Sequence, residues 1–430
     1  MNPPSPASWL DGESSQPGPG KITFTASGTG RIRILHIIND LALGGSEIAL
    51  CRLLSLTDRS LFDPVVIFLR EPSTLRTRIE ALGIPVLGAG MKKPIPSLAS
   101  IWALTKLVRK VSPDLIQGWM YHGSLAAQIA RRFSPRDVPA LWSIHNCLNS
   151  LSHQKRTTLL VIKLCALLSG RANGIVFVSY SSRWQHESYG YSRKNNWVIP
   201  NGFDVCSLAS RPLVRSSLRE NLGFSEDALI IGHVGRFHPS KDHVTFLRAA
   251  AMLALEHSDV QFVLCGSGVD SNNPTLINLC RELNLIGRAH LLGERADAES
   301  LIAGFDVLTS SSQSEACPNV IGEAMACGVP CVVTDIGDMP RMVGSTGHIV
   351  PPGDPMAMAQ SWKHLIELGA EGRLALGFAA RERAINHFSL DSVVHQYESL
   401  YRVLAGLSGA EISAWEELDP AYAGLPSTEK

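Results

Sequence analysis

The chain of 430 residues is 45% apolar and 18% charged, and its 39 basic side chains balance 39 acidic ones. That length supports two or three domains with filled cores, and that composition excludes a disordered chain. No stretch approaches the ~20 apolar residues of a membrane span. The nearest, Thr158–Gly170, is short and broken by Lys163, so an integral membrane protein is excluded as well.

Nine cysteines in a chain this long do not make a disulfide framework. Cys165, Cys265 and Cys331 lie inside apolar runs, where a small buried hydrophobe is the simplest reading. Cys327 and Cys331 are spaced CxxxC with no second ligand pair at zinc-site spacing, so no metal site is expected.

In chain order, residues 1–30 are rich in Pro, Gly and Ser and lack the basic start and apolar run of a signal peptide; a disordered leader is expected there. Short β-branched apolar runs then alternate with helical spacing. The first half predicts strands at 33–38, 64–69, 114–120, 140–145 and 174–179, with helical stretches at 46–57 and 124–133. The turn-rich "IPNGFD" at 199–204 marks a link. Beyond it strands are predicted at 229–235, 260–266, 289–293, 305–311 and 330–335, with helices at 243–257 and 318–327. Strand–helix alternation through both halves implies an α/β protein of two Rossmann-like, doubly wound parallel sheets, with domains at 31–203 and 204–385. Residues 386–406 read as one or two amphipathic helices, and 407–430 as a loose acidic tail.

The zero net charge conceals an asymmetry. Residues 31–200 hold 22 Lys and Arg against 9 Asp and Glu, whereas residues 201–430 hold 16 against 28. A basic half suits an anionic partner such as a membrane surface or a lipid-linked phosphate; equally, two oppositely charged domains attract each other. Nucleic acid is disfavoured, because the basic residues are dispersed and no recognition motif accompanies them.

Ligands of open α/β sheets bind at the carboxyl ends of strands, which selects the loops to inspect. After the first strand, Gly44-Gly45 permits a tight turn with exposed amides at a helix start, a setting that suits phosphate but is common in any protein. After the strand at 229–235, Arg236 and Lys241 occupy an exit loop, where two cations fit a diphosphate or serve as surface charge. "CGSG" at 265–268 lacks the rest of a dinucleotide fingerprint. The segment "SEACPNVIGEAMACGVP" places Glu315 before a helix and Glu323 in its second turn, the helix running from Pro318 to Cys327 with Gly328 just past its end. A group held at that N-terminus has a carboxylate on each side. This matches an elongated ligand with hydroxyls at both ends and phosphate in the middle, as in a nucleotide sugar. Glu323 as an ordinary surface acid fits poorly with its neighbours Val320, Ile321, Ala324 and Met325.

"SEACPNVIGEAMACGVP", together with "GRFHPSKD", "VIPNGFD" and "GGSE", resembles the family 4 glycosyltransferases, retaining enzymes of the two-domain GT-B fold, over roughly residues 32–404. "WMYHGSLAAQIA", "WSIHN" and "VVTDIGDMPRMVG" resemble a bacterial subgroup of polysaccharide assembly. The resemblance implies two domains facing a cleft and a C-terminal helix crossing back to the first domain. It implies that Arg236 and Lys241 neutralise the leaving diphosphate, that Glu315 binds donor-sugar hydroxyls and Glu323 the ribose, and that His145 stands by the donor sugar. It further implies that Gly45 approaches the phosphates, that amides at Asn319 and Val320 complete the phosphate site, and that Gly293 to Arg295 border the base. His122, at a strand exit, is either an acceptor-side residue or a satisfied, partly buried histidine. Cys317 departs from the bulky residue frequent at its position, which leaves the donor sugar open.

The expected reaction is retaining transfer from a UDP-sugar, or next a GDP-sugar, to a sugar or lipid-linked acceptor in cell-surface polysaccharide or glycolipid assembly. No cofactor or metal is expected, and the expected location is cytoplasmic, with peripheral contact at the inner membrane face through the basic domain. A nucleotide-sugar epimerase and a non-catalytic nucleotide-sugar-binding protein are the rival readings.

Overall fold

A computed structural model describes residues 30–91, 97–134, 136–148, 155–204, 211–295 and 297–407. Apart from Gly30 and Leu407, the expected leader and acidic tail lie outside these residues. Among the described residues thirteen strands are present: β1 (Ile32–Ile38), β2 (Phe62–Phe68), β3 (Val86–Gly88), β4 (Leu115–Trp119), β5 (Ala140–Ile144), β6 (Gly174–Phe177), β7 (Asn196–Val198), β8 (Leu229–Val234), β9 (Val260–Cys265), β10 (Ala289–Leu291), β11 (Val307–Ser310), β12 (Cys331–Thr334) and β13 (Gly347–Val350).

The first sheet has the order β3-β2-β1-β4-β5-β6-β7 and the second β10-β9-β8-β11-β12-β13. The pairings of β1 with β2 and β4, and of β8 with β9 and β11, are all parallel. The two doubly wound sheets expected from the alternation are therefore present. The central strands are buried on both faces: six of the seven residues of β1 are buried. This is why they read as continuous apolar runs and not as alternating ones. The edge strands β3, β7 and β13 were not expected; each has only three or four residues, most of them not fully buried.

The helices are α1 (Gly45–Leu56), α2 (Arg76–Ala81), α3 (Leu98–Val111), α4 (Met120–Arg132), α5 (Arg156–Leu168), α6 (Tyr180–Tyr189), α7 (Arg211–Leu222) and α8 (His243–Ala254). There follow α9 (Pro274–Glu282), α10 (Ala298–Ala303), α11 (Asn319–Ala326), α12 (Met339–Val343), α13 (Pro355–Glu367), α14 (Gly369–Phe388) and α15 (Leu390–Leu404). The terminal helical region is longer than the sequence suggested and breaks at Ser389. There the main chain of Phe203 bonds to Phe388 O and Leu390 N, each at 2.9 Å, taking the groups a continuous helix would use.

Of the described residues, those in 30–143, 156–175 and 398–407 form one compact unit, and those in 144–155 and 176–397 form another. In the first unit, β1, β2 and β4 pack their apolar side chains against α3 and α4 through Leu35, Ile37, Val65, Ile67, Leu104, Val108 and Ala127. Tyr401 closes the lower end of this core: its hydroxyl donates to Gln117 Oε1 at 2.6 Å and its ring meets Phe62 edge-on. In the second unit Phe246, Phe262 and Trp362 fill one face of the sheet, and Ile230, Phe305, Ile321 and Met325 the other. A buried ion pair, Arg219 to Asp306 at 2.5 Å, pins α7 to the sheet; Asp306 also accepts from Ile230 N at 2.8 Å. Because the pair is fully hydrogen-bonded, it positions α7 at little net cost.

Candidate active site

In the second sheet the chain order reverses between β8 and β11, and a doubly wound sheet binds ligands at the carboxyl end of such a pair. The β8 exit carries Arg236 and Lys241; the β11 exit carries Ser311 to Glu315. These loops are stitched together. Gln313 N donates to Ser240 O at 2.8 Å, the Ser311 hydroxyl faces Lys241 O at 2.8 Å and Asp242 O at 3.0 Å, and Gln313 Nε2 donates to Asp242 Oδ2 at 2.6 Å. The stitching brings Lys241 Nζ onto Glu315 Oε1 as a half-buried ion pair, and the Ser312 hydroxyl donates to the same oxygen at 3.0 Å. Arg236 is exposed and has no ion pair among the described residues. The structure thus brings Lys241 and Glu315 into contact, where the sequence reading gave the first to the diphosphate and the second to the donor sugar.

Beside Glu315 begins α11. Pro318 is its N-cap in extended conformation, one residue earlier than the sequence placed it in the helix, and no side chain caps the first turn. The helix ends as expected, with Cys327 as C-cap and Gly328 at φ 67°. The opening amides, with Asn319 and Val320 half-buried, carry the partial positive charge that attracts an anion. Glu323 is 7% exposed within a run of buried residues, Ile321 to Ala326. Gly322 makes this packing possible: a Cβ there would lie 2.0 Å from the Phe203 ring.

His145 follows β5 and belongs to the same unit. Its Nδ1 is 3.1 Å from Oδ1 of Asn201, whose Nδ2 donates to Asn319 Oδ1 at 2.8 Å and to Cys317 O at 3.3 Å. A main-chain carbonyl only accepts, so the atom facing Cys317 O is Nδ2 and the atom facing His145 is the amide oxygen. His145 must then carry its proton on Nδ1, which makes Nε2 the acceptor nitrogen of the ring. Burial lowers the His145 pKa to about 4 against the opposing effect of the Asn201 bond, which keeps the ring neutral near pH 7.

Asn201 lies in the turn-rich link and in the "VIPNGFD" motif, where the sequence gives it no role of its own. It stands just after β7, and the strand-exit rule that singled out Arg236 also applies to it. Asp338 was missed too. Its carboxylate accepts from Tyr180 N at 2.8 Å and Ser181 N at 2.9 Å at the start of α6, and burial raises its pKa. The unexpected Cys317 is buried with its Sγ 3.7 Å from Met342 Sδ, and burial pushes its thiol up to about 12. It is therefore an inert packing residue.

The remaining expected residues stand as follows. Gly293, at φ 72°, donates its N–H to Val269 O and accepts from Gly266 N, each at 2.8 Å, so it ties the β10 exit to the β9 exit. Arg295 is exposed and paired with Asp297 at 2.6 Å. In the first unit Gly45 opens α1, where the nearby Glu47 carboxylate folds back over Gly44; burial raises the Glu47 pKa. His122 is the third residue of α4, half-buried, its pKa lowered by burial and by Arg70.

Two Rossmann-like α/β domains with parallel doubly wound sheets define the GT-B architecture. Residues 43–206 match the family model described as Glycosyltransferase Family 4, and residues 228–367 the model described as Glycosyl transferases group 1. The chain is 30% identical over 188 residues to the N-acetyl-alpha-D-glucosaminyl L-malate synthase of Bacillus anthracis, covering 43% of this chain and 48% of that one. It is 27% identical over 313 residues to the putative glycosyltransferase EpsF of Bacillus subtilis (strain 168), covering 70% and 79%. The crystal structure of Anabaena Alr3699/HepE in complex with UDP aligns with a TM-score of 0.73 at 26% identity, over 86% of this chain and 100% of that one. The chain spans about half the length of the first of these relatives. The chain belongs to the family 4 glycosyltransferases.

Proposed function

We propose that the protein is a retaining glycosyltransferase that uses a nucleotide-sugar donor, UDP-linked in preference to GDP-linked. The observation that carries this reading is the cluster at the β8/β11 switch point: the Lys241–Glu315 pair beside the uncapped start of α11, with the buried Glu323 one turn on. An anion at the α11 amides is flanked by Arg236 and Lys241 on one side and has Glu323 in reach of a ribose. Binding of the diphosphate gives Lys241 a second anionic partner and frees Glu315 to accept from sugar hydroxyls. His145, acceptor at Nε2, orients another hydroxyl. HepE, whose structure holds UDP, supports uridine as the base.

In the transfer, the bond between the sugar C1 and the diphosphate oxygen breaks as the acceptor oxygen bonds to C1 on the same face. The acceptor's proton passes to the departing diphosphate. Negative charge grows on that diphosphate, and fixed cations with helix amides stabilise it there. One such donor is typically worth about 3–4 kcal/mol in the transition state. Arg236 and Lys241 supply the positive charge, so the scheme invokes neither metal nor cofactor.

The acceptor belongs to cell-surface polysaccharide or glycolipid assembly in this reading, and peripheral membrane contact accompanies it. Among the described residues no helix is long and apolar enough to cross a membrane. The first unit does expose apolar side chains beside cations: Leu98 and Trp102 on α3, with Lys106 Nζ 4.9 Å from the Trp102 ring centre, and Leu160, Leu164 and Leu167 on α5 around Lys163. Such a face suits an anionic bilayer surface.

Calorimetric titration of UDP, GDP and ADP into the wild type and Glu323→Ala tests the donor site. UDP is expected to bind, with the affinity lost in the variant. Binding of none at millimolar concentration, or equal binding by Glu323→Ala, overturns the reading.

A further inference from the structure

The loop after β12 is built into the loop that carries Glu315. The Thr334 hydroxyl donates to Ser312 O at 2.6 Å, and Asp338 N donates to Ala316 O at 3.2 Å. Gly337, at φ 60°, lies so close that a Cβ there would be 2.2 Å from Glu315 O, so only glycine fits. The Asp338 side chain leaves this loop and reaches the start of α6, 158 positions earlier in the chain. Its Oδ2 accepts from Tyr180 N at 2.8 Å and its Oδ1 from Ser181 N at 2.9 Å. These are the first two amides of the helix, which have no intrahelical carbonyl to bond. The N-cap Ser179 takes the third, from Ser182 N. A carboxylate offers acceptors only, and the start of a helix favours its negative charge. The Arg341 guanidinium, 4.9 Å from the Tyr180 ring centre, covers the same junction.

Helix α6 in turn holds the loop after β5. The Ser182 hydroxyl donates to Asn146 O at 2.6 Å, and Leu148 N donates to Gln185 Oε1 at 2.7 Å. His145 stands immediately before Asn146, so its loop is fixed along two paths. One runs from His145 through Asn201 to Cys317 O and Asn319. The other runs from Asn146 and Leu148 through α6 and Asp338 to Ala316 O. Both end on the segment that contributes Glu315, and all of these residues lie in one compact unit. The second path passes through neither Glu323 nor the opening amides of α11.

We propose that Asp338 is a positioning residue for sugar transfer: it holds the start of α6, and with it the His145 loop, in a fixed place relative to Glu315. It acts through α6 and not on the substrate. This role deepens the function proposed above and rests on it, since that reading puts His145 and Glu315 at the donor sugar. The diphosphate and ribose are held there by Arg236, Lys241, Glu323 and the α11 amides. Loss of the Asp338 contact therefore shows in the chemical step and not in nucleotide binding. A misplacement of about 1 Å can cost on the order of 100-fold in rate.

The test compares the full wild-type chain with Asp338→Asn, which keeps the shape but sets an NH2 group against one of the two helix amides. UDP binding is read by calorimetry. Turnover is read as hydrolytic UDP release from UDP-glucose, UDP-galactose and UDP-N-acetylglucosamine, with water in place of the acceptor. UDP affinity is expected to stay within twofold and KM to change little, while kcat falls at least tenfold. Amide hydrogen exchange is expected to quicken at Tyr180 and Ser181 and also at Leu148. An unchanged kcat, or UDP affinity lost in step with kcat, overturns the proposal. So does faster exchange confined to α6, which would make Asp338 a helix cap and nothing more. If Asp338→Asn fails to fold, Gln185→Ala takes its place, since it cuts the same path between α6 and Leu148 with the helix cap intact; undiminished kcat there overturns the proposal. Where the wild type hydrolyses none of the three donors, exchange at Leu148 decides alone. A wild type that binds no UDP refutes the donor site, whereas UDP binding with unchanged Leu148 exchange in Asp338→Asn refutes this proposal alone.

Discussion

Substitution of Asn201 by alanine tests whether His145 is held as a hydrogen-bond acceptor. The native amide is 5% exposed and reaches three partners: His145 at 3.1 Å, Asn319 at 2.8 Å and Cys317 O at 3.3 Å. Truncation strands the Cys317 carbonyl and the His145 Nδ1–H in a buried site, and an orphaned buried polar group costs about 1–3 kcal/mol. A domain of this size loses roughly 2–4 °C of Tm per kcal/mol, so a fall of about 4–8 °C is expected at the midpoint of that range. The rate falls as well, because an imidazole free to change tautomer no longer reserves its Nε2 lone pair. Loss of one neutral hydrogen bond of about 0.5–1.5 kcal/mol lowers kcat/KM by roughly two- to tenfold. Differential scanning calorimetry reads the first effect. Nitrogen-15 NMR of the histidine ring reads the cause, with the proton on Nδ1 in the wild type near pH 7. A wild-type spectrum with the proton on Nε2, or an Asn201→Ala protein with unchanged Tm and rate, refutes the reasoning.

Three further outcomes are expected. Lys241→Ala should lose at least tenfold in UDP affinity and most turnover while its Tm changes by less than about 1 kcal/mol in equivalent stability, because its pair with Glu315 is partly solvated; near-normal turnover would undo the assignment of the cationic pair. Burial lowers His36 to about 3 and His145, His186 and His243 to about 4, so between pH 6.5 and 4 the unfolded chain binds more protons than the folded one. Stability is thus full above pH 6.5 and falls by up to about 1.4 kcal/mol per pH unit for each such histidine as the medium is acidified. The raised pKa values of Glu47 and Asp338 offset part of this loss, and a Tm that stays level from pH 7 to pH 5 would contradict the balance. Vesicle flotation should show the wild type on anionic and not on neutral vesicles, with Trp102→Ala/Leu167→Asp released from the anionic ones; equal flotation of the wild type on the two lipids removes the case for the basic apolar side chains.

Pattern alone located ten of the thirteen strands. A strand covered on both faces is buried along nearly its whole length and rich in apolar residues, as β1 and β8 are, and that demand is local to the chain. The edge strands β3, β7 and β13 escaped, because a short strand with one open side needs no such run. The same local logic exposed Arg236, Lys241, Glu315 and Glu323, since strand exits, a proline start and a glycine stop are written in consecutive residues. It could not show that Lys241 and Glu315, 74 positions apart, share one hydrogen bond, or that Asn201 joins His145 to Asn319 across separations of 56 and 118. Nor could it show that Asp338 holds the start of α6, 158 positions earlier. Such meetings depend on which strands become neighbours in the sheet. That order is set by how whole helices and strands pack, and no short window of sequence contains it.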